Sequence, residues 1–308
     1  MTKTNSSKIT GISDSNGCEQ NKTTASYHKL LDRLKPIQDL ILVAPMQVPK
    51  SVFDLTVAQK AGYYNYPPVG LLYIASVVKQ ADPSIKVTLI DLNFEMLKNA
   101  HKENFSYDFW KERLTDIIRE SSSPYVGISC MFDVNKEVFV EISQFIRKEF
   151  PSVPILAGGV QATYDFEELL NKYNFDLIFC RESENQFFTF IKNINLKDRL
   201  TEPSGTAFCH DGQIHVMGTP EQDPPVEFDI RDSYSLIPIE AYFKYGGLAV
   251  FSRYNDKEKP FATVLSNRGC RAYCTFCTVR DFNGKGIRAR SVESVVDELK
   301  FLWQKGIK

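Results

Sequence analysis

Between residues 40 and 192 the chain alternates five short apolar runs with amphipathic segments. The runs are 40–44, 87–90, 125–130, 154–157 and 176–179. They are apolar at consecutive positions, so both faces of each strand must be covered. The intervening segments 69–79, 107–120, 136–149, 166–172 and 184–192 carry apolar residues at helical spacing. In 136–149, for example, Val138, Phe139, Ile142, Phe145 and Ile146 share a face. Strands buried on both faces and alternating with helices predict a parallel sheet with helices on each side. The expected fold is α/β, a flavodoxin-like doubly wound sheet over residues 38–195. Ligands of such sheets sit at the carboxyl ends of the strands. Those ends are Pro45 and Met46, Asp91, residues 129–132, Gly158 with Gly159, and residues 181–184.

The remainder reads differently. Residues 1–36 are expected to form a disordered arm, because the first 26 are rich in Ser, Thr, Asn and Lys. They contain no apolar core of a secretory signal. Residues 196–258 read as a linker holding a hairpin, with strands at 206–209 and 213–216 around Asp211-Gly212, followed by an acidic, proline-rich stretch at 221–228. Residues 259–308 read as one strand at 261–265 and one helix at 291–304, capped by Ser291. Its apolar face is Val292, Val295, Val296, Leu299, Leu302 and Trp303. A single βα unit cannot close a barrel, so the chain is expected to be an incomplete part of a longer protein.

At 308 residues and 43% hydrophobic, the chain has room for about two cores. A net charge of −1 gives no footing for nucleic acid or an anionic membrane as the main partner. The longest apolar stretch, 69–78, is too short to span a bilayer. Seven cysteines without a paired framework fit a reducing cytoplasm.

Three of those cysteines stand together. Cys270, Cys274 and Cys277 follow the spacing C-x3-C-x2-C, with Phe276 just before the third. Three thiolates on one short loop can wrap a soft metal. A cubane iron–sulfur cluster normally takes four cysteines, so three leave one iron open to another ligand. Structural zinc would need a fourth ligand from afar, Cys209 or His210. An electron-transfer cluster would lack its fourth cysteine.

The segment 262–277 followed by Arg288-Ala289-Arg290-Ser291 resembles the radical S-adenosylmethionine (SAM) superfamily. The resemblance implies a 4Fe-4S cluster on the three cysteines, with SAM chelated at the open iron. It implies reductive cleavage of SAM to a 5′-deoxyadenosyl radical and places Phe276 near the adenine. It also implies a flavodoxin- or ferredoxin-type electron donor. Tyr66-Pro67-Pro68-Val69-Gly70, Val126-Gly127-Ile128-Ser129 and 157–163 are similar to segments of the cobalamin-binding domain that precedes many radical SAM barrels. That likeness implies cobalamin as a cofactor, held in part by Ser129, Gly158 and Gly159. The two glycines also suit a plain strand-to-helix turn.

After the first strand the chain reads Ala44-Pro45-Met46-Gln47-Val48-Pro49, with no histidine to ligate cobalt from below. The expected cobalamin is therefore base-off with no protein nitrogen on the metal. NAD is not expected, because G-x-G-x-x-G is missing, although Asp91 ends the second strand where such an acid would stand. Gly284-Lys285-Gly286 lacks phosphate-loop spacing and reads as loop flexibility. The implied activity is methyl transfer to, or rearrangement of, an unactivated carbon in a small molecule. The competing readings are a non-catalytic cofactor-binding remnant and a zinc-stabilised binding module. As an incomplete chain it is expected to hold a cluster without turning over SAM.

Overall fold

The computed structural model describes residues 17–218, 229–248 and 259–307. Its centre is a seven-stranded sheet in the order β2-β1-β3-β4-β5-β6-β7. The first five strands are β1 (Asp39–Ala44), β2 (Lys86–Asp91), β3 (Pro124–Ser129), β4 (Ile155–Gly158) and β5 (Leu177–Phe179). All are parallel, in the doubly wound order expected from the alternation of runs.

Successive residues of each strand serve opposite cores. Leu40, Leu42, Tyr125, Leu156 and Leu177 pack into one apolar cluster with α1 (Gly17–Arg33), α2 (Val69–Ala81) and a later helix, Glu184–Asn195. Ile41, Val43, Val126, Ile128, Ile155 and Ile178 pack into the other, with α3 (Leu92–Asn99), α4 (Phe109–Glu120), α5 (Lys136–Glu149) and α6 (Phe166–Lys172). Glu184–Asn195 is α7. This period-two division explains why the runs lack polar alternation.

Three expectations need correction. Residues 17–33 form α1 and not a disordered arm. A polar helix is held there by one stripe: Tyr27 and Leu31 are buried, and the Tyr27 hydroxyl donates to Asn193 Oδ1 at 3.1 Å. Composition averaged over the segment conceals such a stripe. Residues 1–16 lie outside the described residues, as does the acidic stretch 221–228.

The hairpin is not part of a free linker. β6 (Thr206–His210) pairs antiparallel with β5, and β7 (Gln213–Val216) with β6, so the main sheet continues through it. Finally, 261–265 is not a strand. An extended segment needs a neighbour to satisfy its backbone, and no strand pairs with it among the described residues. The pairing falls instead on β8 (Asn267–Arg268) and β9 (Arg288–Ala289), the two legs of the cysteine loop.

The last helix, α8 (Val292–Gln304), is capped by Ser291, whose hydroxyl accepts from the Ser294 N–H at 3.2 Å. Leu302 is buried, whereas Val292, Leu299 and Trp303 of the expected apolar face are at least half exposed. Among the described residues no helix is long and apolar enough to cross a membrane.

Candidate functional site

A cavity of about 340 Å³ opens at the carboxyl ends of β1, β3, β4 and β5. Leu42, Gly127, Ser129 and Leu156 line it from the strands, and Gly70 and Tyr73 from α2. A parallel sheet leaves such a crevice where the strand order reverses, here between β1 and β3. The glycines keep it open. A Cβ on Gly70 would meet nothing within 4 Å, and one on Gly158 would meet only ordinary contacts near 3.8 Å. Added side chains at these two positions would therefore take ligand space. Gly159 also lines the cavity, but its necessity is local. Its φ is +99°, and a Cβ there would lie 2.5 Å from the Cys130 carbonyl oxygen. That position obeys the tight turn after β4.

The roof comes from the C-terminal segment. Thr263, Val264, Leu265, Arg268 and Phe282 close the cavity from above. Phe276, expected near the adenine of SAM, lies outside this cavity and is 88% exposed beside the cysteines. From the C-terminal segment the aromatic that lines the cavity is Phe282. Nothing in its sequence context marked it, since it lies beyond the cysteines.

The cysteine loop hangs between β8 and β9. Gly269 has φ +84°, and a Cβ there would approach the Gly286 carbonyl oxygen at 2.4 Å. The Cys270 N–H donates to the Gly284 oxygen at 3.3 Å, and the Gly286 N–H returns a bond to the Cys270 oxygen at 3.2 Å. Gly284-Lys285-Gly286 thus staples the base of the loop, a more definite role than the loose turn expected. Cys270 is half-buried; Cys274 and Cys277 are exposed. The Ala272 N–H already points at the Cys270 sulfur, at 3.4 Å.

The donor set has the chemistry of an iron–sulfur ligand set, three accessible thiols with an amide donor to sulfur. The thiols have not converged: among the described residues no group of three or more His, Cys, Asp or Glu side chains is placed to hold a metal. Cys209 and His210 cannot serve as a fourth ligand at this loop. β6 runs antiparallel, with Thr206 beside Phe179 and Phe208 beside Leu177, so 209–210 lie toward the amino end of the sheet. The loop stands over the carboxyl end, where Arg268 meets Glu184.

Two other cysteines end strands near the cavity. Burial pushes the Cys130 and Cys180 thiols up to about 12, so both stay protonated and unreactive.

Asp91 ends β2 but faces away from the cavity. It caps α3, accepting from the Phe94 N–H at 3.0 Å, and takes the Tyr242 hydroxyl at 2.7 Å. Burial raises its carboxyl to about 6, against the lowering effect of those bonds. The folded chain therefore holds this proton more tightly than the unfolded chain does. Its contribution to stability is greatest in acid and is lost as pH rises from about 4 to about 6. Asp91→Asn keeps the cap and the partner of Tyr242 but does not titrate. Relative to Asp91→Asn, the parent is expected to lose of the order of 3 kcal/mol between pH 4 and pH 7. Urea midpoints at the two pH values check this; parallel curves would refute it.

Residues 56–190 match the family model described as the B12 binding domain. The chain is 25% identical to cytidylyl-2-hydroxyethylphosphonate methyltransferase of Streptomyces wedmorensis, over 75% of this chain and 47% of the relative. The match makes the central part of the chain, residues 56–190, a B12-binding domain. Another relative is the anaerobic magnesium-protoporphyrin IX monomethyl ester cyclase of Synechocystis, 27% identical over 70% of this chain and 38% of that protein. The chain spans about half or less of the length of these relatives.

Two solved structures share its fold. One is the radical SAM methyltransferase TsrM from Kitasatospora setae with cobalamin and a [4Fe-4S] cluster, with TM-score 0.57 and 19% identity over 88% of this chain and 48% of that one. The other is the cobalamin-dependent radical SAM enzyme OxsB with aqua-cobalamin, with TM-score 0.57 and 20% identity over 91% and 33% of the two chains.

Proposed function

We propose that this chain forms the cobalamin- and cluster-binding part of a cytoplasmic radical SAM enzyme. The enzyme would transfer a methyl group to, or rearrange, an unactivated carbon of a small molecule. The observation that carries the reading is the shared site. The cavity at the strand ends of the B12-binding domain is roofed by the segment that leads into the three cysteines. OxsB, which shares the fold, is cobalamin-dependent by its description, and TsrM, which shares it too, is described with cobalamin and a [4Fe-4S] cluster bound and with a tryptophan substrate.

The residues suit the two cofactors unequally. The cavity is apolar, open at its mouth and sized for a planar heterocycle rather than for the whole of cobalamin. Ser129 offers a hydroxyl within it, and Gly70 and Gly158 leave room along its walls. The exposed Met131 and Phe132 at the end of β3 offer an apolar ledge beside the mouth. Cys270, Cys274 and Cys277 would hold a 4Fe-4S cluster, with SAM at the remaining iron. When bound, the cluster supplies the electron that cleaves SAM, and cobalamin supplies the methyl group. A flavodoxin- or ferredoxin-type donor would deliver that electron. The chain's own part is to exclude water from the cavity and to keep the cysteine loop beside it.

Titration of the purified chain with hydroxocobalamin tests the reading. Binding at micromolar concentration is expected, with the spectrum of a base-off form. No histidine stands in residues 45–49 directly after β1, so the cobalt(II) form should show no strong nitrogen splitting in its paramagnetic resonance. A clear three-line nitrogen pattern would contradict the proposed lower face. Absence of binding would remove cobalamin from the reading.

A further inference from the structure

The turn after β5 is held in one shape. Arg181 sits in the left-handed region, with φ +64°, and its N–H donates to Thr163 Oγ1 at 2.8 Å. The Gln186 amide donates to the Cys180 oxygen at 2.7 Å and to the Glu182 oxygen at 3.2 Å. A non-glycine residue persists in that region only where its surroundings over-determine it. What the turn presents is two carboxylates, Glu182 and Glu184.

Both reach the cysteine loop. Glu184 pairs with Arg268 in β8, one leg of the loop. Glu182 accepts from Arg288 in β9, the other leg, at 2.6 Å and from Asn283 at 2.9 Å. Its second oxygen lies 3.4 Å from Arg268. The side chains are 9–18% exposed, so water screens these pairs little. The Arg268 guanidinium also lies over the Tyr73 ring of α2, 5.2 Å from its centre. Glu184, Arg268 and Tyr73 all line the cavity. The same few groups therefore touch the cavity, the B12-binding domain and both legs of the loop.

We propose that Glu182 and Glu184 are positioning residues that grip both legs of the cysteine loop and fix its place over the cavity. The proposal rests on the cofactor reading above for its purpose but not for its geometry. The acids touch no thiol, so their loss should leave the capacity for iron intact while releasing the loop from the cavity.

The test uses the 308-residue chain and the double variant Glu182→Gln/Glu184→Gln. In the ligand-free chain, amide hydrogen exchange in peptides covering 266–290 is expected to rise about tenfold or more. Peptides of β1, β3 and β4 should keep parent rates. After anaerobic reconstitution, iron and sulfide per chain should equal those of the parent. With hydroxocobalamin bound and reduced to cobalt(II), magnetic coupling between cobalt and the reduced cluster should give one well-defined distance in the parent and a broad distribution in the variant.

Exchange at 266–290 within twofold of the parent would overturn the proposal. So would a rise spread evenly through the central strands, which would make the acids part of the general fold. If the double variant does not fold, Glu182→Gln alone should loosen the β9 leg more than the β8 leg; equal exchange in both legs would overturn the grip. A parent that binds no hydroxocobalamin would sink the cofactor reading and leave the exchange result standing.

Discussion

Cys274→Ala is expected to strip most of the iron from the anaerobically reconstituted chain. The parent should be brown and hold about four irons per chain, as a three-cysteine cubane does. The three cysteines act as a set, because a cluster with two protein ligands has two open irons and is lost to exchange with solvent thiols. Cys270→Ala and Cys277→Ala should behave alike. Cys130→Ala and Cys180→Ala are the matched controls, since both thiols are buried and held protonated. Iron and sulfide analysis decides the matter. Full iron retention in Cys274→Ala would overturn the ligand assignment, and zinc without sulfide in the parent would favour the binding module.

The architecture was legible where local pattern and global burial agree. Strands apolar on both faces have one home, a covered parallel sheet, and the order β2-β1-β3-β4-β5 is such a sheet. Ser129, Gly158 and Gly159 were placed at the strand ends by the same logic, and all three line the cavity. The sequence could not separate the two glycines. Only the approach of the Cys130 carbonyl shows that Gly159 serves the turn while Gly158 borders open space.

What was not legible depends on contacts far apart in the chain. α1 is polar on average and is fixed by Tyr27 against Asn193, 166 residues away. α3 was missed because Leu92–Asn99 follows β2 without a break, and its cap is Asp91, the residue that ends the strand. Phe282 reaches the cavity through the fold of the loop, a placement that no local pattern marks. The residues Arg181-Glu182-Ser183-Glu184 were visible as a strand end. Their partners Arg268 and Arg288 lie 84 and 106 residues further on, beyond any local pattern.

Glu298→Ala should cost the fold roughly 3–5 kcal/mol. Glu298 is 2% exposed on α8, one turn before the buried Leu302. Its Oε1 accepts the Tyr234 hydroxyl at 2.7 Å, and its Oε2 pairs with Arg290, whose side chain is 6% exposed. Arg290 also donates to the Leu265 oxygen at 2.9 Å and to the Tyr73 hydroxyl at 3.1 Å. One buried ion pair thus ties α8, the approach to the cysteine loop and α2 together. Removing the carboxylate leaves a guanidinium in a site with little water, and the desolvation cost of that lone charge sets the size of the effect. Removing both charges should be far milder. Glu298→Leu with Arg290→Met is expected to recover most of the loss, because the pair's attraction is largely offset by its own burial. Urea unfolding of the three chains gives the comparison. If Glu298→Ala costs less than about 1 kcal/mol, the pair behaves like an exposed one, and α8 is not anchored through it.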